Sequence, residues 1–284
     1  MILCLENIVR QLAEKNIESP LLEARLIIAA AKSIECWEVS STTEISSDEA
    51  EKINAMLEQR LSHKPLDKIL GHREFYKYDF LCNENVLSPR PDTETLVENA
   101  AGLIFKHKLQ NVLELGVGSG CVILSLLADF PFLFGTGVDV SDKALKVAAE
   151  NAERLGVKNR INLLCADWND EKFCDNFSSA FDIIVSNPPY IPSAEISELE
   201  PEVKNFDPLT ALDGGIDGFD AYNQIIKIAP TLLKDNGYLL FEAGYNQARQ
   251  IAKNCEDNDF KTIAIAKDLA GIERCVIVQK TLAK

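Results

Sequence analysis

The sequence has few of the ligands from which metal sites are built. It contains only three histidines, and its eight cysteines are scattered so that no two have Cys-x-x-Cys spacing. Structural zinc sites need closely spaced cysteines and histidines, so no metal site is predicted. The cysteines are instead expected to be reduced thiols, most of them buried in the core.

Long apolar runs are also absent. No stretch approaches the roughly 20 apolar residues that a membrane-spanning helix requires. The opening segment MILCLENIVRQLAEKN carries acidic residues where a signal peptide would have a basic region followed by an unbroken apolar run. These two absences predict a cytoplasmic protein that does not contact a membrane.

Basic residues are outnumbered by acidic ones. There are 29 Lys and Arg residues against 44 Asp and Glu residues, which gives a formal net charge of −15. Binding to nucleic acid needs basic surface that replaces phosphate counterions, so direct nucleic-acid binding is not expected. The apolar fraction of 46% and the charged fraction of 26% are typical of a globular protein with a sizeable core.

Apolar side chains recur at helical spacing in the first part of the chain. Ser19 and Pro20 suit the N-cap and first position of one helix, and Ser47, followed by acidic residues, suits the start of another. The apolar faces of the first and third predicted helices are formed by Leu5, Ile8, Val9, Leu12, Ile53, Met56, Leu57 and Leu61. The pattern predicts a small all-α N-terminal domain over residues 1–72.

A different pattern follows this helical region. Aromatic and polar residues alternate over residues 73–88, which predicts a β-hairpin that links the helical domain to a second domain at 89–284. Just after the hairpin, Asp92 or Thr93 is predicted to cap a helix.

From residue 111 onward, apolar strand-like runs alternate with helical segments. This order predicts an α/β domain with a mainly parallel sheet covered by helices on both faces, as in Rossmann-like folds. Ligands in such domains bind at the carboxyl ends of the strands. The residues that directly follow each strand are therefore the candidates for a binding site.

The first strand of this region leads into the glycine-rich turn of NVLELGVGSGC. Gly116, Gly118 and Gly120 allow the backbone to turn tightly and to approach a ligand closely. The run is more compressed than the dinucleotide motif G-x-G-x-x-G, and Glu114 precedes it. A carboxylate there would repel a pyrophosphate but can accept a hydrogen bond from an ammonium group, which favours S-adenosylmethionine over a dinucleotide.

Two further carboxylates follow the second and third strands of the domain. Asp139 can accept hydrogen bonds from ribose hydroxyls, a feature that S-adenosylmethionine and NAD share. Asp167 can accept a hydrogen bond from an adenine amino group, and Trp168 can lie against the adenine ring. Together these side chains predict a site for an adenosine-containing cofactor.

The segment SNPPYIPS follows the fourth strand, and its prolines end that strand abruptly. The side-chain oxygen of Asn187 and the backbone oxygen of Pro188 can each accept one hydrogen of a planar NH₂ group. Pro189 stiffens the corner, and Tyr190 offers a ring face for packing. Two such acceptors return electron density to the nitrogen as a methyl group arrives. The corner predicts methyl transfer to an amino or amide nitrogen and leaves open which one.

At these residues the sequence resembles the N(5)-glutamine methyltransferases that modify peptide chain release factors. The similarity extends over nearly the whole chain and includes LSPRPDTETLVE, VLELGVGSGCVILSL, FDIIVSNPPYIP, EPEVKNFDPLTALDGGIDGFDAYNQII and KDLAGIERCVIV. The resemblance implies a class I S-adenosylmethionine-dependent methyltransferase domain, a five-helix N-terminal substrate-recognition domain and a connecting hairpin. It also implies that the substrate is the glutamine in a Gly-Gly-Gln loop of class 1 release factors, and that the protein is a monomer.

The resemblance also implies roles for particular residues. It places cofactor contacts on the loop Gly116, Val117, Gly118, Ser119 and Gly120, on Asp139 with the adjoining Val140, on Trp168 and on Asn187. It assigns the catalytic glutamine clamp to Asn187, Pro188, Pro189 and Tyr190. A loop closing over the site matches Pro89, Arg90, Pro91 and Thr93, from which Pro91 and Thr93 would reach the cofactor and Arg90 the substrate. Asp92 and Phe219 depart from the family pattern, so no catalytic role is assigned to Asp92.

Two alternatives remain open at the level of sequence. An adenine-N6 or guanine-N2 methyltransferase acting on DNA or RNA could share the Asn-Pro-Pro-Tyr corner, although it would need a basic surface. A cofactor-binding adaptor without catalysis could share the glycine loop, although it would have no use for the corner.

Overall fold

The computed structural model describes residues 4–281, which divide into two compact units. The first unit comprises the chain up to His72 together with Glu200–Phe206. The second unit comprises Arg73–Leu199 and the chain from Asp207 onward. The helical unit is therefore not a single continuous stretch of sequence.

After the first 72 residues of the described chain, α-helices and strands mostly alternate. In chain order the α-helices are α1 (Leu5–Glu14), α2 (Pro20–Lys32), α3 (Ser47–Leu61), α4 (Leu66–Leu70), α5 (Glu94–His107), α6 (Cys121–Asp129), α7 (Asp142–Arg154), α8 (Pro201–Phe206), α9 (Asp220–Leu232) and α10 (Ala248–Glu256). The strands are β1 (His72–Phe75), β2 (Tyr78–Leu81), β3 (Asn111–Leu115), β4 (Phe134–Asp139), β5 (Ile161–Cys165), β6 (Phe181–Ser186), β7 (Leu233–Glu242), β8 (Phe260–Lys267) and β9 (Glu273–Lys280). Among residues 4–281, no helix is both long and apolar enough to cross a membrane.

The first unit is a small helical bundle with its own core. Residues at the predicted helical spacing are buried there, with Ile8, Leu12, Ile53 and Leu57 at most 3% exposed. Within the described chain, four α-helices and one 3-10 turn precede the hairpin, so the expected five helices do not all come from residues 1–72. The unit's remaining helix is α8, which comes from much later in the chain.

The helix starts in this unit were only partly predictable. Ser46 caps α3: its hydroxyl accepts from the Glu49 N–H at 3.4 Å, while Glu49 Oε2 accepts from the Ser46 N–H at 2.8 Å. Ser47 is the first helical residue, as expected. Ser19 lies at the N-cap of α2 but makes no capping hydrogen bond, because its ψ of 60° is outside the extended region that directs a cap side chain to the helix amides.

Arg60 joins three segments of the first unit and is only 3% exposed. Its Nη2 donates to Glu202 Oε1 at 2.7 Å and to Glu23 Oε1 at 3.2 Å, and its Nη1 donates to the Lys64 carbonyl. Burial lowers the pKa of Arg60, but the carboxylates of Glu23 and Glu202 outweigh burial and raise it. Arg60 thus ties α8 to α3 and α2.

We expect Arg60→Ala to destabilise the protein by about 2 kcal/mol, because it removes a buried cation and leaves the mostly covered carboxylate of Glu23 without its partner. Urea denaturation followed by circular dichroism measures the change. The matched control is Arg10→Ala, whose side chain is 58% exposed and lies 4.0 Å from Glu14. This control should shift stability by less than about 1 kcal/mol, and equal shifts for the two variants would contradict the expectation.

The second unit contains the hairpin and the main sheet. Strands β1 and β2 form a two-stranded sheet, joined by two residues. The main sheet has seven strands in the order β5-β4-β3-β6-β7-β9-β8. Strands β3 to β7 are mutually parallel, whereas β9 is antiparallel to both β7 and β8. The predicted helix-covered, mainly parallel sheet is confirmed.

The sheet separates two apolar clusters. Along β3, Val112 packs into one cluster and Leu113 into the other, and Ile183 and Ile184 of β6 are divided in the same way. Burial on both faces explains the near-continuous apolar runs in the sequence. Because β5, β4, β3 and β6 are parallel neighbours in the sheet, their carboxyl ends lie side by side at one edge.

Candidate active site

A cleft of about 590 Å³ opens at this carboxyl edge, within the second unit. Its volume is typical of sites for small molecules. Most of the predicted site residues line it, namely Arg90, Thr93, Glu114, Gly116, Val117, Gly118, Ser119, Asp139, Val140, Asp167, Trp168, Asn187 and Pro189. Residues far apart in sequence therefore meet in one cavity, as the strand order requires.

Four predicted site residues are outside the lining of the cleft: Pro91, Gly120, Pro188 and Tyr190. Gly120 caps the N-terminus of α6 with φ of 81°, and a Cβ there would be 2.6 Å from Leu124 Cδ1. Its role in this structure is to close the turn and pack against the helix. Tyr190 lies behind the cleft, where burial raises its pKa to about 12.

The glycine loop is held between β3 and β4 by its backbone. The amides of Gly116 and Val117 both donate to the Val138 carbonyl at 2.9 Å, and the Gly118 amide donates to Asp139 Oδ2 at 2.9 Å. Gly116 and Gly118 have φ of 79° and 52°, which glycine adopts at little cost. The loop is thus fixed, and its lack of side chains lets a ligand approach the backbone.

Asp139 both shapes the loop and faces the cleft. Its Oδ2 accepts from Gly118, and its Oδ1 accepts from the Ser141 amide at 2.9 Å. Each carboxylate oxygen has a further lone pair, so the side chain can still accept from two neighbouring hydroxyls. The geometry fits a ribose diol.

We expect Asp139→Ala to weaken the binding of S-adenosylmethionine by roughly 10- to 100-fold, because hydrogen bonds to a charged acceptor are lost. Isothermal titration calorimetry measures the affinity. Asp170→Ala serves as the control, because Asp170 accepts from the Lys172 amide at 2.9 Å outside the cleft lining. A variant at Asp139 with unchanged affinity would contradict the role in cofactor binding.

Glu114 lies under the glycine loop and is 2% exposed. Its Oε2 accepts from the Ile123 amide in the first turn of α6 at 3.0 Å. Burial raises the pKa of Glu114 well above its usual value, and the hydrogen bond from Ile123 opposes this only in part. A cation placed in the cleft would stabilise the charged form, so the side chain fits a ligand ammonium group.

Another part of the cleft, beside the glycine loop, has flat apolar surface. Trp168 lies near the glycine loop, with its ring 3.6 Å from where a Cβ on Gly116 would be. Val140 is 56% exposed, unusual for an apolar residue that lines a cavity. Asp167 Oδ1 accepts from the backbone and side-chain nitrogens of Asn169, both at 2.8 Å. This part of the cleft offers an apolar ring site with a carboxylate beside it.

The amide of Asn187 is oriented by a hydrogen bond from its nitrogen to Thr93. Its Nδ2 donates to Thr93 Oγ1 at 3.3 Å, which leaves the side-chain oxygen available as an acceptor. Thr93 occupies the N-cap of α5, one of the two predicted positions, but its side chain makes no capping hydrogen bond within the described residues. Thr93 lies in the 3-10 turn Pro91–Thr93, and Asp92 Oδ2 pairs with Arg274 Nη2 at 2.9 Å.

Glu242, the last residue of β7, is a buried carboxyl that the sequence reasoning missed. It is 2% exposed, and its Oε2 has no hydrogen-bond partner within the part of the chain that the structure describes. Burial raises the pKa of Glu242 to about 7, against the lowering effects of the Thr93 hydroxyl, Arg274 and the Asn187 amide. The sequence did contain a signal for this residue: an acidic side chain directly follows the apolar run YLLF. That run belongs to β7, the neighbour of β6, which leads into the Asn-Pro-Pro-Tyr corner.

A long loop after the corner supplies another part of the cleft that residue-level reasoning did not identify. Lining residues here include Pro208, Leu209, Thr210, Ala211 and Asp213. The loop pairs with the continuation of the corner, since the Ile191 amide donates to the Leu212 carbonyl and the Gly214 amide to the Ile191 carbonyl. Arg90 is tied to the same loop through Asp207 Oδ2 at 3.5 Å.

Family models match both parts of the chain. Residues 106–281 match the model described as a methyltransferase domain, and residues 4–71 match that of the PrmC N-terminal domain. A release factor glutamine methyltransferase of Rhodospirillum rubrum is 41% identical over 94% of this chain and 81% of its own length. The chain belongs to the release factor glutamine methyltransferase family. The family's counterpart in Caulobacter vibrioides is 36% identical, over 94% of this chain and 92% of its own length.

Structural similarity extends beyond the release factor glutamine methyltransferases. The hMettl16 catalytic domain, solved in complex with MAT2A 3′UTR hairpin 6, has a TM-score of 0.56 and 13% identity. The similarity covers 77% of this chain and 82% of that one. At this identity the likeness concerns the fold alone. The predicted Rossmann-like methyltransferase fold is confirmed.

Proposed function

We propose that this protein transfers a methyl group from S-adenosylmethionine to the side-chain amide nitrogen of the glutamine in the Gly-Gly-Gln loop of class 1 peptide chain release factors. One observation carries the chemistry: the nitrogen of Asn187 is engaged by Thr93, so its oxygen is available to an incoming NH₂ group at the cleft. The names of the relatives support a release factor glutamine as the acceptor.

The residues of the cleft suit the two ligands at different ends. Glu114 is suited to the ammonium group of the cofactor, Asp139 to its ribose, and Trp168 with Val140 to its adenine. S-adenosylmethionine supplies a methyl group on a positively charged sulfur, and S-adenosylhomocysteine is the product. The glutamine side chain would enter beside Asn187.

The Asn-Pro-Pro-Tyr corner would lower the activation barrier of methyl transfer by making the amide nitrogen of the glutamine a better nucleophile. An amide nitrogen shares its lone pair with the neighbouring carbonyl, so it attacks a methyl carbon poorly. Acceptors at Asn187 Oδ1 and the Pro188 carbonyl polarise both N–H bonds and hold the nitrogen in line with the methyl group. The nitrogen's electron pair forms the new N–C bond, the C–S pair returns to sulfur, and the nitrogen then releases one proton to solvent.

We also propose a role for each part of the chain. Residues 1–72, joined by Glu200–Phe206, would form the substrate-recognition domain. Residues 73–88 would form the linking hairpin, and the remainder of 89–284 the catalytic domain. We propose a monomeric, cytoplasmic protein that does not bind nucleic acid directly, and the net charge of −15 supports the last point. Gel filtration at micromolar concentration tests the monomer.

The deciding experiment measures transfer of label from radiolabelled S-adenosylmethionine. The acceptors are a release factor, the same factor with its Gly-Gly-Gln glutamine changed to alanine, and nucleic acid. Label should appear only on the unchanged factor. Label on nucleic acid would favour the amino methyltransferase alternative, and label on the alanine variant would place the acceptor at another residue.

A further inference from the structure

Glu242 is a buried acid for which the reaction described above has no use. It ends β7, whose residue Phe241 pairs with Ser186 at the end of β6, so Glu242 is level with Asn187 across the two strands. Its cross-strand neighbour on β9 is Cys275, which is fully buried. Its carboxyl is therefore next to the Asn-Pro-Pro-Tyr corner but outside the lining of the cleft.

The polar groups around this carboxyl form a short chain. Asn187 Nδ2 donates to Thr93 Oγ1, so the Thr93 hydroxyl hydrogen is free to be donated onward. The Thr93 hydroxyl and the Asn187 amide are both near enough to the Glu242 carboxyl to favour its charged form and so to lower its pKa. An ionised carboxylate only accepts hydrogen bonds, so it favours an arrangement in which every neighbour points a hydrogen toward it.

Burying a carboxyl without full hydrogen bonding costs folding free energy, so the presence of Glu242 at this position calls for a role. Its Oε2 has no partner in the described chain, and the nearby Arg274 directs its own hydrogen bonds to Ala243 O, Asp92 and Asp268. The titratable groups that face Glu242 from surrounding elements are Asp92, Cys121, Tyr190, Tyr222, Arg274 and Cys275. The Arg274 guanidinium is the cation in this set.

We propose that Glu242 is a positioning residue for methyl transfer: through Thr93, its carboxylate keeps the amide oxygen of Asn187 turned toward the methyl acceptor. The side-chain amide of Asn187 can rotate by half a turn at little steric cost. The flipped amide would then direct its NH₂ group, a donor, toward the NH₂ group of the substrate, which is also a donor. The carboxylate disfavours this flip because it accepts from the nitrogen side. Protonation of Glu242 turns it into a donor and removes the preference.

The test compares Glu242→Gln with the wild type in release factor methylation. Burial holds the pKa of Glu242 at about 7, so wild-type kcat/KM should rise roughly tenfold from pH 6 to pH 8 as the carboxyl ionises. In Glu242→Gln the rise should disappear, and activity at pH 8 should be roughly tenfold lower because a neutral acceptor replaces a charged one. Using the same substrates for both proteins at each pH removes ionisations of the substrates from the comparison.

Affinity for S-adenosylmethionine, measured by calorimetry, should stay within about threefold of the wild type in Glu242→Gln, because the cofactor does not touch this side chain. Wild-type activity and an unchanged pH profile in the variant would overturn the inference. So would a loss of cofactor affinity as large as the loss of activity. The inference rests on the proposed function, but the two fail differently: if release factor is not the substrate, the wild type itself transfers no label at any pH.

Thr93 provides an independent test if Glu242→Gln fails to fold. Thr93→Val removes the hydroxyl that links Glu242 to Asn187, and Thr93→Ser restores it. Activity should fall in the first variant and return to within about threefold of the wild type in the second. Thr262→Val is the matched control, because its buried hydroxyl has no hydrogen-bond partner among residues 4–281. Equal activity of the Val and Ser variants at position 93 would exclude the relay.

Discussion

Replacing Asn187 by alanine is expected to lower methyl transfer to release factor by roughly 10²- to 10³-fold, the loss typical of removing one preorganised hydrogen-bonding group from a reacting centre. The side chain lines the cleft, and its nitrogen is already bonded to Thr93. Alanine removes the acceptor that polarises the substrate N–H. The amide nitrogen of the substrate glutamine is then free to rotate out of line with the methyl group. The rate is measured with saturating cofactor and release factor.

The same variant should bind S-adenosylmethionine with an affinity within about threefold of the wild type, because the glycine loop, Asp139 and Glu114 are unchanged. Calorimetry measures this affinity. Asn254→Ala is a suitable control: Asn254 is half-buried on α10, outside the cleft lining, and its amide bonds Asn223 and Gln250. If Asn187→Ala lost cofactor affinity and activity to the same extent, Asn187 would chiefly hold the cofactor.

Gly214→Ala is expected to reduce transfer by roughly 100-fold without touching any reacting group, because displacement of catalytic groups by about 1 Å has effects of this size. A Cβ on Gly214 would be 2.7 Å from Tyr190 Cα and 2.9 Å from the Pro189 carbonyl oxygen. These are backbone atoms of the corner, so they cannot move aside as a flexible side chain would. The corner itself must shift, together with the acceptors at Asn187 and Pro188.

Gly102→Ala offers a matched control for this prediction. Gly102 is exposed in the middle of α5, and a Cβ there would have no heavy atom within 4 Å. Alanine should stabilise the helix by about 1 kcal/mol and leave transfer unchanged. Activity and melting temperature are measured for both variants. A fully active Gly214→Ala protein would mean that the corner tolerates the shift or does not position the substrate.

Many of the site residues that the sequence predicted share one property: they lie at or directly after the carboxyl end of a strand. Asn187, Asp139 and the glycine loop could be located because parallel strands bring their carboxyl ends to one edge. The alternation of strands and helices was sufficient for that argument. No contact between distant side chains had to be known.

The missed parts depend on such contacts. Glu242 ends an apolar strand, and only its position beside Asn187 distinguishes it from an ordinary strand-terminal acid. The Thr93 hydroxyl could cap α5 or bond Asn187, and the local sequence permits both. The tertiary neighbours decide between them, so the capping rule alone gave the right N-cap position but not the partner of the Thr93 hydroxyl.

The contact between Arg60 and Glu202 has a consequence for the order of events during synthesis. The two residues are 142 positions apart, and Glu202 is on the α8 segment that belongs to the helical unit. The first four helices emerge from the ribosome long before this partner exists, although domains generally fold in order from the N-terminus. During synthesis, Arg60 of the helical unit can therefore pair with Glu23 but not with Glu202 until most of the second unit has been translated.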